Sequence, residues 1–110
     1  METIEHGLKS IRRTLKEESA WHTALETLAE VQRTTLLSKS LVPAAAAQQP
    51  EAERAAFVRA YRQQMIEFLK HQLELESALL EGNPEAIQAA FNTVREMEDP
   101  SHERFAPEKD

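Results

Sequence analysis

Hydrophobic residues recur at helical spacing from the start of the chain. The first stripe consists of four aliphatic residues separated by four, three and four positions: Ile4, Leu8, Ile11 and Leu15. This spacing is typical of one face of an amphipathic helix. Continued, the stripe would meet only polar residues, and a new stripe instead begins out of phase at Trp21. We therefore expect a break near Glu18–Ser19, with Ser19 as the N-cap of a second helix. One continuous helix is the alternative, because neither Gly nor Pro marks the break.

The middle of the chain predicts a long connection followed by a third helix. The second helix is expected to end near Ser40, and the segment 41–50 forms the connection, in which the four alanines can continue a helical turn. Pro50 and Glu51 suit the first turn of the third helix. The expected core positions of that helix are Phe57, Tyr61, Met65, Phe68, Leu69, Leu73 and Leu80.

A glycine and an Asn-Pro pair predict the turn into a fourth helix. Gly82 is expected to end the third helix, and Asn83 and Pro84 are expected to supply the N-cap and the first position of the fourth. Asp99-Pro100 should then kink or end that helix. Its inner face is expected to contain Ile87, Phe91, Val94 and Met97.

These four stripes predict an all-α fold, an antiparallel up-down-up-down four-helix bundle. The bundle is expected to form a single domain over residues 1–106, with a frayed tail at 107–110. Two glycines among 110 residues are too few for a fold of many short strands.

Charge and cysteine content exclude several classes of function. Lys and Arg number 13 and Asp and Glu 19, so the net charge is 13 − 19 = −6. This acidic balance disfavours binding to nucleic acid or to an anionic membrane, and no apolar stretch is long enough for membrane insertion. The absence of cysteine excludes thiolate chemistry and iron–sulfur clusters. Arg12, Arg13 and Lys16 are interpreted as ordinary surface charge.

No catalytic motif is present, and the chain is not expected to be an enzyme. Of the four histidines, only His102 follows a carboxylate, Asp99, by three positions, and no Gly-rich phosphate loop occurs. Met1 and His102 stand at opposite ends of the chain, which an up-down-up-down bundle brings to the same end. A thioether and an imidazole there could bind a low-spin heme.

Five short segments, in this order and spacing, resemble the cytochrome b562 family over essentially the whole chain. They are Met1-Glu2-Thr3 with Leu8-Lys9 and Ile11, then Pro43, Tyr61-Arg62, Glu81-Gly82-Asn83, and His102 followed three residues later by Phe105. The resemblance implies a non-covalent heme b with Met1 and His102 as iron ligands, one-electron transfer to a small redox protein partner, and a periplasmic location. The cytoplasm is the alternative location if Met1 is the native start.

Further residues are candidates for the heme pocket, and other readings stay open. The lining candidates are Leu8, Phe91, Met97 and Phe105. One alternative is a heme-free periplasmic bundle with a protein-interaction or stress-accessory role, in which such side chains fill the slot. Another is a metal site that combines His6, Glu98 and His102. A homodimer is also left open.

Overall fold

A computed structural model describes residues 2–105, with side chains for residues 4–43 and 45–98. This part of the chain contains no strand and is built mainly from helices. The four α-helices are α1 (Glu2–Thr14), α2 (Trp21–Ser38), α3 (Arg54–Glu81) and α4 (Pro84–Phe105). The fold is therefore all-helical, with the shape of a four-helix bundle.

The break between the first two helices is confirmed, and the single continuous helix is wrong. After α1, a 3-10 turn at Glu18–Ala20 leads directly into α2. The indole Nε1 of Trp21 donates a hydrogen bond to the carbonyl of Leu15 at 3.1 Å and so closes the junction. Ser19 is not the N-cap of α2. Ser19 lies inside the 3-10 turn, so the N-cap position falls to Ala20. Ala20 makes no side-chain capping bond.

The long connection contains two 3-10 turns and delays the start of α3. The alanine-rich segment forms one turn, Ala44–Gln48, and Glu51–Glu53 forms the other. Pro50 and Glu51 therefore precede α3 rather than open it, because Pro50 is extended and the backbone N–H of Glu53 donates to the Pro50 carbonyl at 2.8 Å. The predicted end of α2 near Ser40 agrees with its last residue, Ser38.

The turn between α3 and α4 forms as predicted. Gly82 adopts a left-handed φ of 79° and donates its backbone N–H to the Ala78 carbonyl at 3.0 Å. The side-chain oxygen of Asn83 accepts hydrogen bonds from the backbone N–H groups of Glu85 at 3.0 Å and Ala86 at 3.2 Å, so Asn83 caps α4. The helix does not end at Asp99-Pro100, since α4 continues to Phe105. The kink that Pro100 predicts stays a prediction.

One hydrophobic cluster draws on all four helices. The stripes predicted for α1 and α4 are confirmed. The buried members are Ile4, Leu8, Ile11, Leu15, Ala24, Leu28, Val31, Tyr61, Met65, Phe68, Leu75, Ala78, Leu79, Ile87, Phe91 and Val94.

The predicted core face of α3 is wrong in its second half. Leu73 and Leu80 are 50% and 69% exposed, whereas Gln72 is fully buried. The inner face continues from Phe68 through Gln72 and Leu75 at helical spacing. Leu73 and Leu80 each follow an inner-face position by one residue, which turns them by about 100°. The polar residue at position 72 concealed this register in the sequence.

Side-chain hydrogen bonds connect α2 and α3 along their length. Gln32 donates to Glu76 at 2.8 Å, and Tyr61 donates its hydroxyl to the carbonyl of Ser38 at 2.9 Å. Close backbone approaches also join α1 to α2 and α3 to α4. Within the described residues, no helix combines the length and apolar character that a membrane span requires.

Candidate functional site

The two predicted iron ligands fall where side chains are not described. Met1 lies outside the described residues. His102 and Phe105 belong to the C-terminal part of α4, but the described side chains end at residue 98. The pairing of Met1 with His102, and the place of Phe105 beside them, therefore stay predictions.

The other three predicted lining residues lie on the inner faces of α1 and α4. Leu8 is fully buried, Phe91 is 2% exposed, and Met97 is partly buried against the same hydrophobic cluster. Their neighbours on both helices are aliphatic. An apolar lining of this kind suits the faces of a porphyrin. Because protein atoms already cover Leu8 and Phe91, a porphyrin could reach them only if α1 and α4 moved apart.

Few close backbone approaches join α1 to α4. Over the described residues, such approaches join each helix to the next in the chain. Leu8 in α1 and Phe91 in α4 nevertheless belong to one cluster of packed side chains. Packed side chains give an interior its resistance to rearrangement.

The carboxylate of the alternative metal site is buried. Glu98 follows Met97 in α4 and is 9% exposed, whereas His6 in α1 is exposed. In the part of the chain with described side chains, no three His, Asp or Glu residues converge as metal ligands would. The alternative metal site also needs His102, whose side chain is outside that part.

A cleft lined by cations lies between α1 and α4. It is open to solvent and has a volume of about 520 Å³, and its lining side chains are Lys9, Arg12, Arg13, Lys16 and Arg95. We call it the basic groove. Its α1 side is exposed, and Arg95 reaches it from α4 as a half-buried side chain.

The interpretation of Arg12, Arg13 and Lys16 as ordinary surface charge missed the groove. The spacing of Lys9, Arg12 and Arg13 is itself a signal, because intervals of three and four residues place them on one face of α1, and Lys16 follows two residues after the helix ends. Arg95 could not be added from the pattern, since it is distant in the sequence.

Comparisons with protein-family models, with curated proteins and with solved structures found no match to this chain.

Proposed function

We propose that this chain is a cytochrome b562-like one-electron carrier that holds heme b non-covalently between α1 and α4. The observation that supports the proposal is the apolar inner face of each helix, with Leu8 in α1 and Phe91 in α4 in one hydrophobic cluster. A flat cofactor with large apolar faces needs side chains of this kind on both of the helices between which it lies.

The proposal includes an antiparallel up-down-up-down arrangement. Two residues, Gly82 and Asn83, separate α3 from α4, and so short a connection favours antiparallel neighbours. The bonded pairs between α2 and α3 run in opposite chain order. Gln32 bonds Glu76, whereas Ser38, which comes later in α2, bonds Tyr61, which comes earlier in α3. In this arrangement the start of α1 and the end of α4 lie at the same end of the bundle.

The residues at that end have distinct proposed roles. Met1 and His102 would hold the heme iron, and a thioether ligand would raise its reduction potential. Leu8, Phe91, Met97 and Phe105 form an apolar wall that excludes water. A bound heme supplies a one-electron couple, and the chain itself supplies binding, orientation and a low dielectric.

The remaining parts of the proposal follow from the resemblance. An electron carrier needs a small redox protein as its partner, and the periplasm is the proposed location. A homodimer is a further proposal, and it is compatible with one heme in each chain.

A heme-free bundle is the second candidate, and one observation favours it. Leu8 and Phe91 are already buried by protein atoms. In this interpretation the inner faces of α1 and α4 pack together without a cofactor. The protein then acts through its surface in the periplasm, in protein interaction, as a stress accessory or in metal binding.

Hemin titrations of ligand variants distinguish the two candidates. The electron carrier predicts saturable binding of one hemin per chain, with at least a tenfold weaker affinity after His102→Ala and after Met1→Ala produced behind a cleavable tag, since a tenfold change corresponds to about 1.4 kcal/mol. His22→Ala is the matched control, because the His22 side chain is 83% exposed on α2. Equal hemin affinity in all four proteins would exclude Met1 and His102 as ligands, and an absence of saturable binding would leave the heme-free bundle.

A further inference from the structure

The basic groove concentrates positive charge that the surrounding chain does not neutralise. Among the described residues, its five lining cations form no ion pair, whereas Arg33 pairs with Glu30 at 3.0 Å and Lys70 with Glu67 at 3.2 Å. The chain has 19 acidic residues, more than enough to pair every cation. The lining charges are therefore available to a ligand.

Helix electrostatics explain only part of this arrangement. Arg12 and Arg13 occupy the last turn of α1, where cations favourably meet the negative end of the helix dipole. Lys9 lies one turn earlier, and Arg95 comes from the middle of α4. Like charges at intervals of three and four residues destabilise a helix, and Lys9 stands at these intervals from Arg12 and Arg13. Helix electrostatics therefore do not account for Lys9 or for Arg95.

The rest of the molecule limits the size of that anion. Outside the groove the chain has 13 − 5 = 8 basic residues and 19 acidic residues, a net charge of 8 − 19 = −11. A long polyanion such as a nucleic acid, or an anionic membrane, would meet this negative surface beyond the groove. A volume of about 520 Å³ instead matches that of a small-molecule site.

We propose that the basic groove binds a small ligand that carries a pyrophosphate group. Arginine guanidinium groups grip phosphate oxygens in pairs, and lysines add point charges. Pyrophosphate concentrates several negative charges in a small volume, which five cations around one cleft match better than they match a carboxylate. Arg95 is half-buried, so less side-chain freedom is lost when it binds.

Isothermal titration calorimetry of the heme-free full chain with inorganic pyrophosphate tests this proposal. We expect saturable binding of one pyrophosphate per chain, weakened about tenfold or more by Arg95→Gln, because one charge-assisted hydrogen bond accounts for such a factor. Arg59→Gln is the matched control. Arg59 is exposed on α3 and lies outside the groove, so this variant removes the same charge and should keep the wild-type affinity. Thermal unfolding of each variant verifies that the bundle is intact.

Two further ligands identify the group that is recognised. A nucleoside diphosphate that binds as tightly as pyrophosphate supports recognition of the pyrophosphate group alone. Citrate bound as tightly as pyrophosphate overturns the proposal in favour of a general anion site.

Other results would also overturn the proposal. One is an absence of saturable pyrophosphate binding, and another is an equal loss of pyrophosphate affinity in Arg95→Gln and Arg59→Gln. A third is an Arg95→Gln variant that changes hemin affinity but not pyrophosphate affinity. Because the titration uses heme-free protein, failure of the heme proposal leaves its outcome unchanged.

Discussion

At the scale of single residues, the core contains a polar pair where the pattern of α3 calls for an apolar side chain. Gln72 donates its amide N–H to the hydroxyl of Thr35 at 2.9 Å, and that hydroxyl donates to the carbonyl of Val31 at 2.9 Å. The side-chain oxygen of Gln72 is buried and has no hydrogen-bond partner among the described residues. A buried acceptor without a partner costs stability.

Gln72→Leu should therefore stabilise the protein. The substitution removes the unpaired oxygen and leaves the Thr35 hydroxyl bonded to Val31, so we expect the free energy of unfolding to rise by about 1 kcal/mol. Urea unfolding measures the change. Gln63→Leu, the same substitution on the exposed face of α3, should change the free energy of unfolding by less than about 0.5 kcal/mol. A clear loss of stability in Gln72→Leu would show that the oxygen has a partner.

Tyr61 gives the stability a dependence on alkaline pH. Burial raises the pKa of the Tyr61 phenol above 10.0, and its hydroxyl donates to the Ser38 carbonyl. Below pH 10 the phenol is neutral in both the folded and the unfolded chain. As the pH rises above 10, the phenol ionises in the unfolded chain before it ionises in the folded chain. The stability that the neutral, buried phenol contributes is therefore lost as the pH rises through the folded-state pKa.

Tyr61→Phe should reduce the dependence of the free energy of unfolding on pH above pH 10. At neutral pH we expect the variant to be less stable by about 0.5–1.5 kcal/mol, because it lacks the hydrogen bond to Ser38. Above pH 10 the difference between the two proteins should shrink. Unfolding by urea at a series of pH values tests this, and two parallel pH profiles would contradict it.

At the scale of elements, a glycine sets how closely α1 approaches α2. Gly7 lies within α1, and a Cβ added there would collide with a side-chain methyl group of Val31, which is fully buried. Valine is confined to one main χ1 rotamer in a helix, so it cannot turn away. The small residue is therefore required by packing, although glycine weakens a helix interior.

Gly7→Ala should destabilise the bundle despite its better helix propensity. Alanine gains about 1 kcal/mol in propensity, and overpacking costs about 1–3 kcal/mol, so we expect a net loss of up to about 2 kcal/mol in the free energy of unfolding. In the background of Val31→Ala the same substitution should become stabilising, because the collision is gone. Destabilisation of equal size in both backgrounds would show that Gly7 acts in some other way.

Elements with local signals could be predicted from the sequence, and those that depend on distant residues could not. Gly82 and Asn83 act on their immediate neighbours, so the turn into α4 was predictable. The inner face of α3 was not, because Gln72 finds its partner Thr35 in another helix and interrupts the hydrophobic pattern. The predicted start of α3 was too early, because a proline can open either an α-helix or a 3-10 turn.

At the scale of the whole molecule, the candidate features lie on the first and last helices. Close backbone approaches join each described helix to the next in the chain, and few join α1 to α4. The apolar lining candidates Leu8 and Phe91 and the basic groove all belong to this pair of helices. The burial of Leu8 and Phe91 could be predicted from the periodicity of the sequence. The sequence could not predict the groove, which requires Arg95 to lie beside α1.

The spin state of added hemin tests the central claim most directly. One equivalent of hemin is added to the full chain, and absorbance is recorded in the oxidised and then the reduced state. Ligation by Met1 and His102 predicts a six-coordinate low-spin heme, with sharp absorption bands in the reduced state. A broad spectrum like that of free hemin, unchanged by an excess of protein, would contradict a heme carrier.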